Sequence, residues 1–197
     1  MKKNRNSTLQ NKPTSEVRVI AGLWRGRKLP VLNAEGLRPT TDRVKETLFN
    51  WLMNDVAGSR CLDCFAGSGS LGIEALSRQA QAVVFLEKFA NAANLLKNNL
   101  TSLKTTNGTV INTDTLQYLA QKNSQPGFEV VFVDPPFNHG FVPKVLKLLE
   151  ENQWLADNAL IYVETEKNHP PLELPSNWQI LKEKTAGQVI SRLIQCL

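Results

Sequence analysis

From residue 58 onward the chain repeats one rhythm, a short apolar run followed by a stretch with helical spacing, and this constrains the fold more than any other feature. The candidate strands are residues 61–65, 82–86, 109–111, 130–133 and 159–163. Between them lie segments such as 90–103 and 141–151, whose apolar residues recur at helical intervals. Strands that alternate with helices run parallel and need helices on both faces, so an α/β fold with a doubly wound sheet is expected. The rhythm breaks at the end. Residues 178–183 and 189–196 flank Thr185-Ala186-Gly187 and read as a terminal antiparallel hairpin.

Ahead of the sheet, residues 17–21 and 27–31 form a candidate β-hairpin around Gly22-Leu23-Trp24-Arg25-Gly26. A helix should follow, N-capped by Thr40 or Thr41, with Val44, Leu48, Trp51 and Leu52 on its packing face. Residues 1–16 are polar, contain Lys2, Lys3, Arg5 and Lys12, and lack the apolar run of a signal peptide. Three parts are therefore expected: a basic tail (1–16), a hairpin-and-helix extension (17–57) and the main domain (58–197).

Cys61, Cys64 and Cys196 are the three cysteines, an odd number that suits free thiols in a reducing cytoplasm. Cys61 and Cys64 sit three apart in a candidate strand and so point to opposite faces, which argues against a metal site. Of the net charge of +5, residues 1–60 hold twelve Lys and Arg against five Asp and Glu, leaving the remainder slightly acidic. Such polarity suits a phosphate backbone gripped near the N-terminus.

The first strand runs into Asp63-Cys64-Phe65-Ala66-Gly67-Ser68-Gly69-Ser70-Leu71-Gly72 and then a helix. Glycines let a backbone approach a ligand closely. Gly67, Gly69 and Gly72 also match the dinucleotide fingerprint, with Glu87 placed at the end of the next strand for a ribose. A dinucleotide, however, would bring pyrophosphate beside Asp63. S-adenosylmethionine has no phosphate and carries a sulfonium and an ammonium group, so a crevice edged by Asp63, Glu87, Asp114 and Asp134 favours it. Asp114, followed by a helical stretch, suits a helix cap equally well.

The apolar strand Phe128-Glu129-Val130-Val131-Phe132-Val133 is followed directly by Asp134-Pro135-Pro136-Phe137. Two prolines stiffen the turn and remove two backbone donors. What remains is a set of acceptors suited to an amino group. Hydrogen bonds from an exocyclic base amine to Asp134 and the Pro135 carbonyl would aim its lone pair at a methyl donor, Asp134 would stand ready for the departing proton, and Phe137 would stack on the extruded base.

Asp63 to Gly72 together with Asp134 to Phe137 resemble the cofactor loop and catalytic tetrad of class I amino-methyltransferases. More narrowly, Arg18-Val19-Ile20-Ala21-Gly22, Trp24-Arg25-Gly26-Arg27 and the run from Arg38 through Thr41 and Arg43 to Glu46 resemble the RsmD family, the bacterial guanine-N2 methyltransferases of 16S ribosomal RNA. The resemblance covers residues 17–197. It implies a seven-stranded Rossmann-like fold, S-adenosylmethionine as donor, and a monomer that acts on 16S rRNA in a small subunit or an assembly intermediate. It further implies that Gly67 and Gly69, with Asp63 and Phe65 of the same loop, line the cofactor's amino-acid end. Glu87 would bind its ribose, Asp114 its adenine amine, and Thr41 and Arg43 would lie over the entrance. The tetrad begins with Asp where many relatives have Asn, which leaves the identity of the base open.

Arg18, Trp24, Arg25, Arg27 and Lys28 on the N-terminal hairpin are the candidate RNA contacts, pairing phosphates and stacking through an exposed Trp24. Other readings compatible with the motifs are a DNA adenine-N6 or protein-glutamine methyltransferase, an NAD-dependent oxidoreductase and a noncatalytic RNA-binding module.

Overall fold

The computed structural model describes residues 15–32 and 42–197. The expected basic tail up to residue 14, the helix cap at Thr40 or Thr41, and Thr41 as a cofactor residue lie outside the described residues. Strands β1 (Ser15–Arg18) and β2 (Lys28–Val31) form the expected small hairpin, bridged by a 3-10 turn at Gly22–Trp24. Helix α1 (Asp42–Trp51) follows.

The main domain alternates β3 (Arg60–Asp63), α2 (Ser70–Ser77), β4 (Ala82–Glu87), α3 (Ala90–Ser102), β5 (Gly108–Asn112), α4 (Thr115–Leu119), β6 (Phe128–Val133), α5 (Phe141–Glu151) and β7 (Leu155–Glu166). It closes with β8 (Trp178–Ala186) and β9 (Val189–Cys196). These strands make one seven-stranded sheet in the order β5-β4-β3-β6-β7-β9-β8. β3 to β7 are parallel, whereas β9 runs antiparallel to both its neighbours. This is the Rossmann-like α/β architecture expected, with its terminal hairpin inserted so that β9 lies inside β8. The chain enters at β3, walks outward to β5 and returns to β6, so the direction of travel reverses between β3 and β6. Ligands of open α/β sheets bind at the carboxyl ends of the strands flanking such a reversal.

Side-chain alternation divides the core in two. Cys61, Phe85, Val130, Phe132 and Tyr162 face α1, α2, α3 and the N-terminal hairpin. Leu62, Cys64, Val131, Val133 and Val163 face α4 and α5. Cys61 and Cys64 do lie on opposite faces, and burial pushes the Cys61 thiol up to about 12. β7 extends four residues further back than the apolar run 159–163 implies. It pairs with β6 through a register shift between Phe128 and Val130, and Asn158 there takes a positive φ.

The extension shares the first of these cores, contributing Val17, Val19, Leu29 and Val31 from the hairpin and Leu48, Phe49 and Leu52 from α1 or just beyond it. Polar anchors fix it. The wholly buried Glu74 of α2 accepts the N–H groups of Ile20 at 2.8 Å and Ala21 at 3.0 Å and pairs with Arg78 at 2.9 Å. Hydrogen bonds to a charged group are each worth about 1.5–3 kcal/mol, roughly twice a neutral pair. The buried Lys45 of α1 donates to the Arg18 carbonyl at 2.5 Å. Burial lowers its pKa, against the opposing pull of Glu74 and Asp42. Gly22 makes the closest approach: at φ +79° a Cβ there would lie 1.9 Å from the Ser77 carbonyl oxygen. No described helix is long and apolar enough to cross a membrane.

Candidate active site

β3 delivers the glycine loop to the switch point. The Cys64 N–H donates to the Phe132 carbonyl at 3.0 Å, and Thr115 donates its hydroxyl to the Cys64 carbonyl, so the loop leaves the sheet with its root held on both sides. Gly69 then turns the chain into α2 at φ +77°, where a Cβ would stand 2.3 Å from Leu96 Cδ1. A left-handed residue in that tight a space has to be glycine.

Asp63 is 3% exposed, and its Oδ2 accepts the Gly72 N–H at 3.1 Å. Burial raises its pKa to about 7, partly offset by the backbone N–H groups of Gly72 and Phe65, with Glu87 adding to the rise. Instead of edging the crevice, this carboxylate braces the loop from beneath. Glu87 at the end of β4 accepts Gly67 N–H at 2.8 Å and Phe89 N–H at 2.7 Å. Asn112 fastens β5 to the same corner by donating to the carbonyls of Glu87 and Lys88.

Asp114 is the N-cap of α4, its Oδ1 accepting from Leu116 and Gln117 N–H groups, while its Oδ2 lies 3.1 Å from Lys88 Nζ. Its burial is a raising influence, but the Lys88 and backbone hydrogen bonds outweigh it and hold the carboxyl below the usual range. Of the two readings open to Asp114 in the sequence, the cap is the one seen, just beyond the carboxyl end of β5.

Asp134 follows β6 on the other flank of the loop. Pro135 is buried, Pro136 exposed and Phe137 half-buried. Asp134 and Phe137 line a cavity of about 410 Å³ together with Arg43 and Trp51 of α1, Glu164 of β7 and Lys184 of β8. α1 roofs this cavity. Lys184 Nζ donates to Thr47 Oγ1 at 3.1 Å, tying the terminal hairpin to α1. At the floor, the Tyr162 hydroxyl donates to Glu164 Oε1 at 2.6 Å and lies 3.1 Å from Ser191 Oγ.

The predicted residues thus fall into two adjoining groups, with Asp134 between them. Gly67, Gly69, Glu87 and Asp114 gather at the ends of β3, β4 and β5, and Asp134, Phe137 and Arg43 line the cavity beside β6 and β7. Tyr162, Glu164, Lys184 and Ser191 were not anticipated. Trp51, expected only to pack, packs against the core and also walls the cavity. The one available signal was the placement of Tyr162 and Glu164 two apart on one face of an otherwise apolar strand.

The hairpin residues Arg18, Trp24, Arg25, Arg27 and Lys28 do not line the cavity. Arg18, Arg25, Arg27 and Lys28 are exposed, and Lys28 pairs with Glu16 at 3.2 Å. Trp24 corrects the expectation of an open stacking platform. Its ring is partly buried against the core and its backbone N–H donates to Ser77 Oγ at 3.0 Å, which leaves Leu23 as the exposed apolar group of the turn.

The family model described as Conserved hypothetical protein 95 matches residues 17–195. Ribosomal RNA small subunit methyltransferase D of Haemophilus influenzae is 62% identical over 182 residues, covering 91% of this chain and 94% of that protein. The Escherichia coli protein of the same name is 50% identical, covering 92% and 91% respectively. The solved structure of yhhF from Escherichia coli aligns with a TM-score of 0.86 at 49% identity, over 92% of this chain and 98% of that one.

Proposed function

The chain belongs to the RsmD family, and on that premise we propose that it methylates N2 of a guanine in 16S ribosomal RNA with S-adenosylmethionine as donor. Methylation of ribosomal RNA is supported by the names of its relatives. An amino group as the target is supported by one observation: the acceptor turn Asp134-Pro135-Pro136-Phe137 borders a cavity of about 410 Å³ that Asp134 and Phe137 line, while the choice of guanine rests on the resemblance to the RsmD family.

The crevice fits the donor. Ser70 Oγ is buried at the start of α2 with no hydrogen-bond partner among the described residues, beside the glycine whose Cβ the loop has no room for. Gly67, Gly69 and Ser70 would hold the amino-acid end of the cofactor, Glu87 its ribose hydroxyls and Asp114 its adenine amine, with Asp63 keeping the loop in shape. When bound, the cofactor supplies an electrophilic methyl group on a sulfonium.

The work of the chain is to orient and desolvate. An exocyclic amine is a weak nucleophile because its lone pair is delocalised into the ring. Acceptance of its two hydrogens by Asp134 and the Pro135 carbonyl fixes the direction of that lone pair, and Asp134 stands where the proton leaves. The prolines keep the acceptors rigid, so no reorganisation is needed at the moment of reaction. Phe137 stacks on the extruded base, a contact worth about 1–3 kcal/mol. The chain acts as a monomer in the cytoplasm, on RNA within a small subunit or its assembly intermediate.

The test is to incubate the protein and labelled S-adenosylmethionine separately with 16S RNA, small-subunit particles and DNA, then digest each sample to nucleosides. The expected product is N2-methylguanosine in the RNA samples alone, lost in Asp134→Ala. Label in N6-methyladenine of DNA, or donor binding without transfer to any of the three, would overturn the reading.

A further inference from the structure

We propose that Glu164 selects guanine, by accepting the N1–H of the same base edge whose amine Asp134 receives. The inference rests on the guanine-N2 reading above and adds to it the residue that excludes adenine.

Register places the two acids. Val133 of β6 pairs with Val163 of β7, so the next residues, Asp134 and Glu164, stand side by side at the carboxyl ends of adjacent parallel strands. Neighbouring strands are about 4.8 Å apart, and paired residues on them point to the same face. Phe132 and Tyr162, two residues earlier, both lie on the α1 face of the sheet. Asp134 and Glu164 share that face, and both line the cavity.

Glu164 is 6% exposed. A buried carboxylate is costly unless donors surround it. Tyr162 supplies one at 2.6 Å, and burial together with Glu164 raises the phenol's pKa, so it remains a donor. One proton serves one acceptor, which leaves Ser191 to donate to the phenol oxygen from 3.1 Å. A carboxylate has about four acceptor sites, so it can take more than one donor at once. The Tyr162–Ser191 pair helps to hold Glu164 in position next to Asp134 on the cavity wall.

The chemistry of the base edge supplies the specificity. Guanine presents N1–H and N2–H₂ side by side, three donors that two adjacent carboxylates and one carbonyl can receive. Adenine presents a bare N1 lone pair next to its amine, so Glu164 would face an acceptor with an acceptor. Sites built around a substrate donor reject analogues that lack it far more strongly than apolar pockets reject a missing methylene. Asp134 alone cannot make this distinction, because both bases carry an amine.

The critical substrate is 2,6-diaminopurine, which keeps the N2 amine of guanine but has no hydrogen on N1. Small-subunit particles would be assembled with 16S RNA carrying either guanine or 2,6-diaminopurine at the mapped methylation site. Wild type should prefer guanine by about 10⁴-fold in kcat/KM. Glu164→Gln keeps an acceptor for Tyr162, so the fold is preserved, and its amide can donate to a bare N1. It should lose most activity on guanine and narrow or invert the preference. Tyr162→Phe, which frees the carboxylate from its support, should lower the preference partway. A preference unchanged in Glu164→Gln would make the pair merely structural and overturn the assignment while leaving guanine methylation standing. Failure of wild type to methylate guanine at all would remove both.

Discussion

The Gly67 N–H lies 2.8 Å from the Glu87 carboxylate, so the glycine loop is fastened by the same side chain to which the proposed function assigns the ribose. A second N–H, from Phe89, reaches that carboxylate at 2.7 Å. Glu87 therefore shapes the loop, and under the proposed function it would bind the ribose as well. Glu87→Gln retains an acceptor for the backbone but loses the charge and half the acceptor capacity. Hydrogen bonds to a charged group contribute about 1.5–3 kcal/mol, so the dissociation constant for S-adenosylhomocysteine should rise about 10- to 100-fold, and Tm should fall as well because Gly67 and Phe89 bond to different carboxylate oxygens and an amide has only one. Isothermal titration calorimetry reads it directly, and an unaltered affinity would show that Glu87 serves the loop alone.

Asp63 makes stability depend on pH in an unusual direction. Burial lifts its carboxyl to about 7 in the native state, against about 3.9 in an unfolded chain. Between those values the native protein binds more protons than the unfolded one. Its stability should therefore be fully present below about pH 4, fall as pH rises to about 7, and level off above. A difference of this size corresponds to a contribution on the order of 4 kcal/mol. Asp63→Asn, which still offers an oxygen to the Gly72 N–H, should lack this component. Urea unfolding of both proteins at pH 4.5 and 7.5 would reveal it as a larger loss in wild type, and parallel behaviour would mean that Asp63 does not titrate in this window.

How much of the molecule was legible follows from what each part has to satisfy. β3, β4 and β6 are largely buried, so they appear as short, mainly apolar runs, and the glycine loop and Asp134-Pro135-Pro136-Phe137 stand out because backbone constraints there demand particular residue types. The first four residues of β7 were hidden because Ala156, Asp157 and Asn158 are polar or small and continue the strand past a register shift. The cavity was half hidden for a different reason. Lys184 lies in β8, exposed along nearly its whole length, and exposed strands carry the same polar residues as a soluble edge. Trp24 misled because a tryptophan between basic residues gives no sign that its ring packs partly against the core. Only the register of β7 against β6 and β9 shows that Tyr162, Glu164 and Ser191 meet.

Docking of the hairpin on α2 can be measured with two glycines. Gly22 and Gly26 both adopt positive φ, +79° and +83°. An added Cβ at Gly22 would collide with the Ser77 carbonyl oxygen at 1.9 Å, whereas nothing lies within 4 Å of one at Gly26. Gly26→Ala should cost only the left-handed backbone term, about 1–2 kcal/mol. Gly22→Ala must also lift the turn from α2 and should cost about 2–4 kcal/mol. Comparison of urea midpoints isolates the docking contribution, and equal losses would show that the turn relaxes without strain.

RNA affinity should divide between two basic surfaces with different signatures. Arg25, Arg27 and Lys28 are exposed on the hairpin and do not line the cavity, and they lie in the part of the sequence that holds the positive excess. Arg43 and Lys184 stand at the cavity itself. Phosphate contacts release counterions, and each contributes about 0.7–0.9 to the slope of log affinity against log salt. Replacing all three hairpin residues with Ala should therefore weaken binding to 16S RNA and flatten the slope by about 2–3 if each meets a phosphate. Lys28 also pairs with Glu16, which would reduce its share. Arg43→Ala combined with Lys184→Ala should flatten the slope less but slow methyl transfer more, because those side chains line the cavity proposed for the base. Filter binding between 50 and 200 mM salt separates the two surfaces. A hairpin variant with the wild-type slope would move the RNA path off the N-terminal extension and onto the rim formed by α1 and β8.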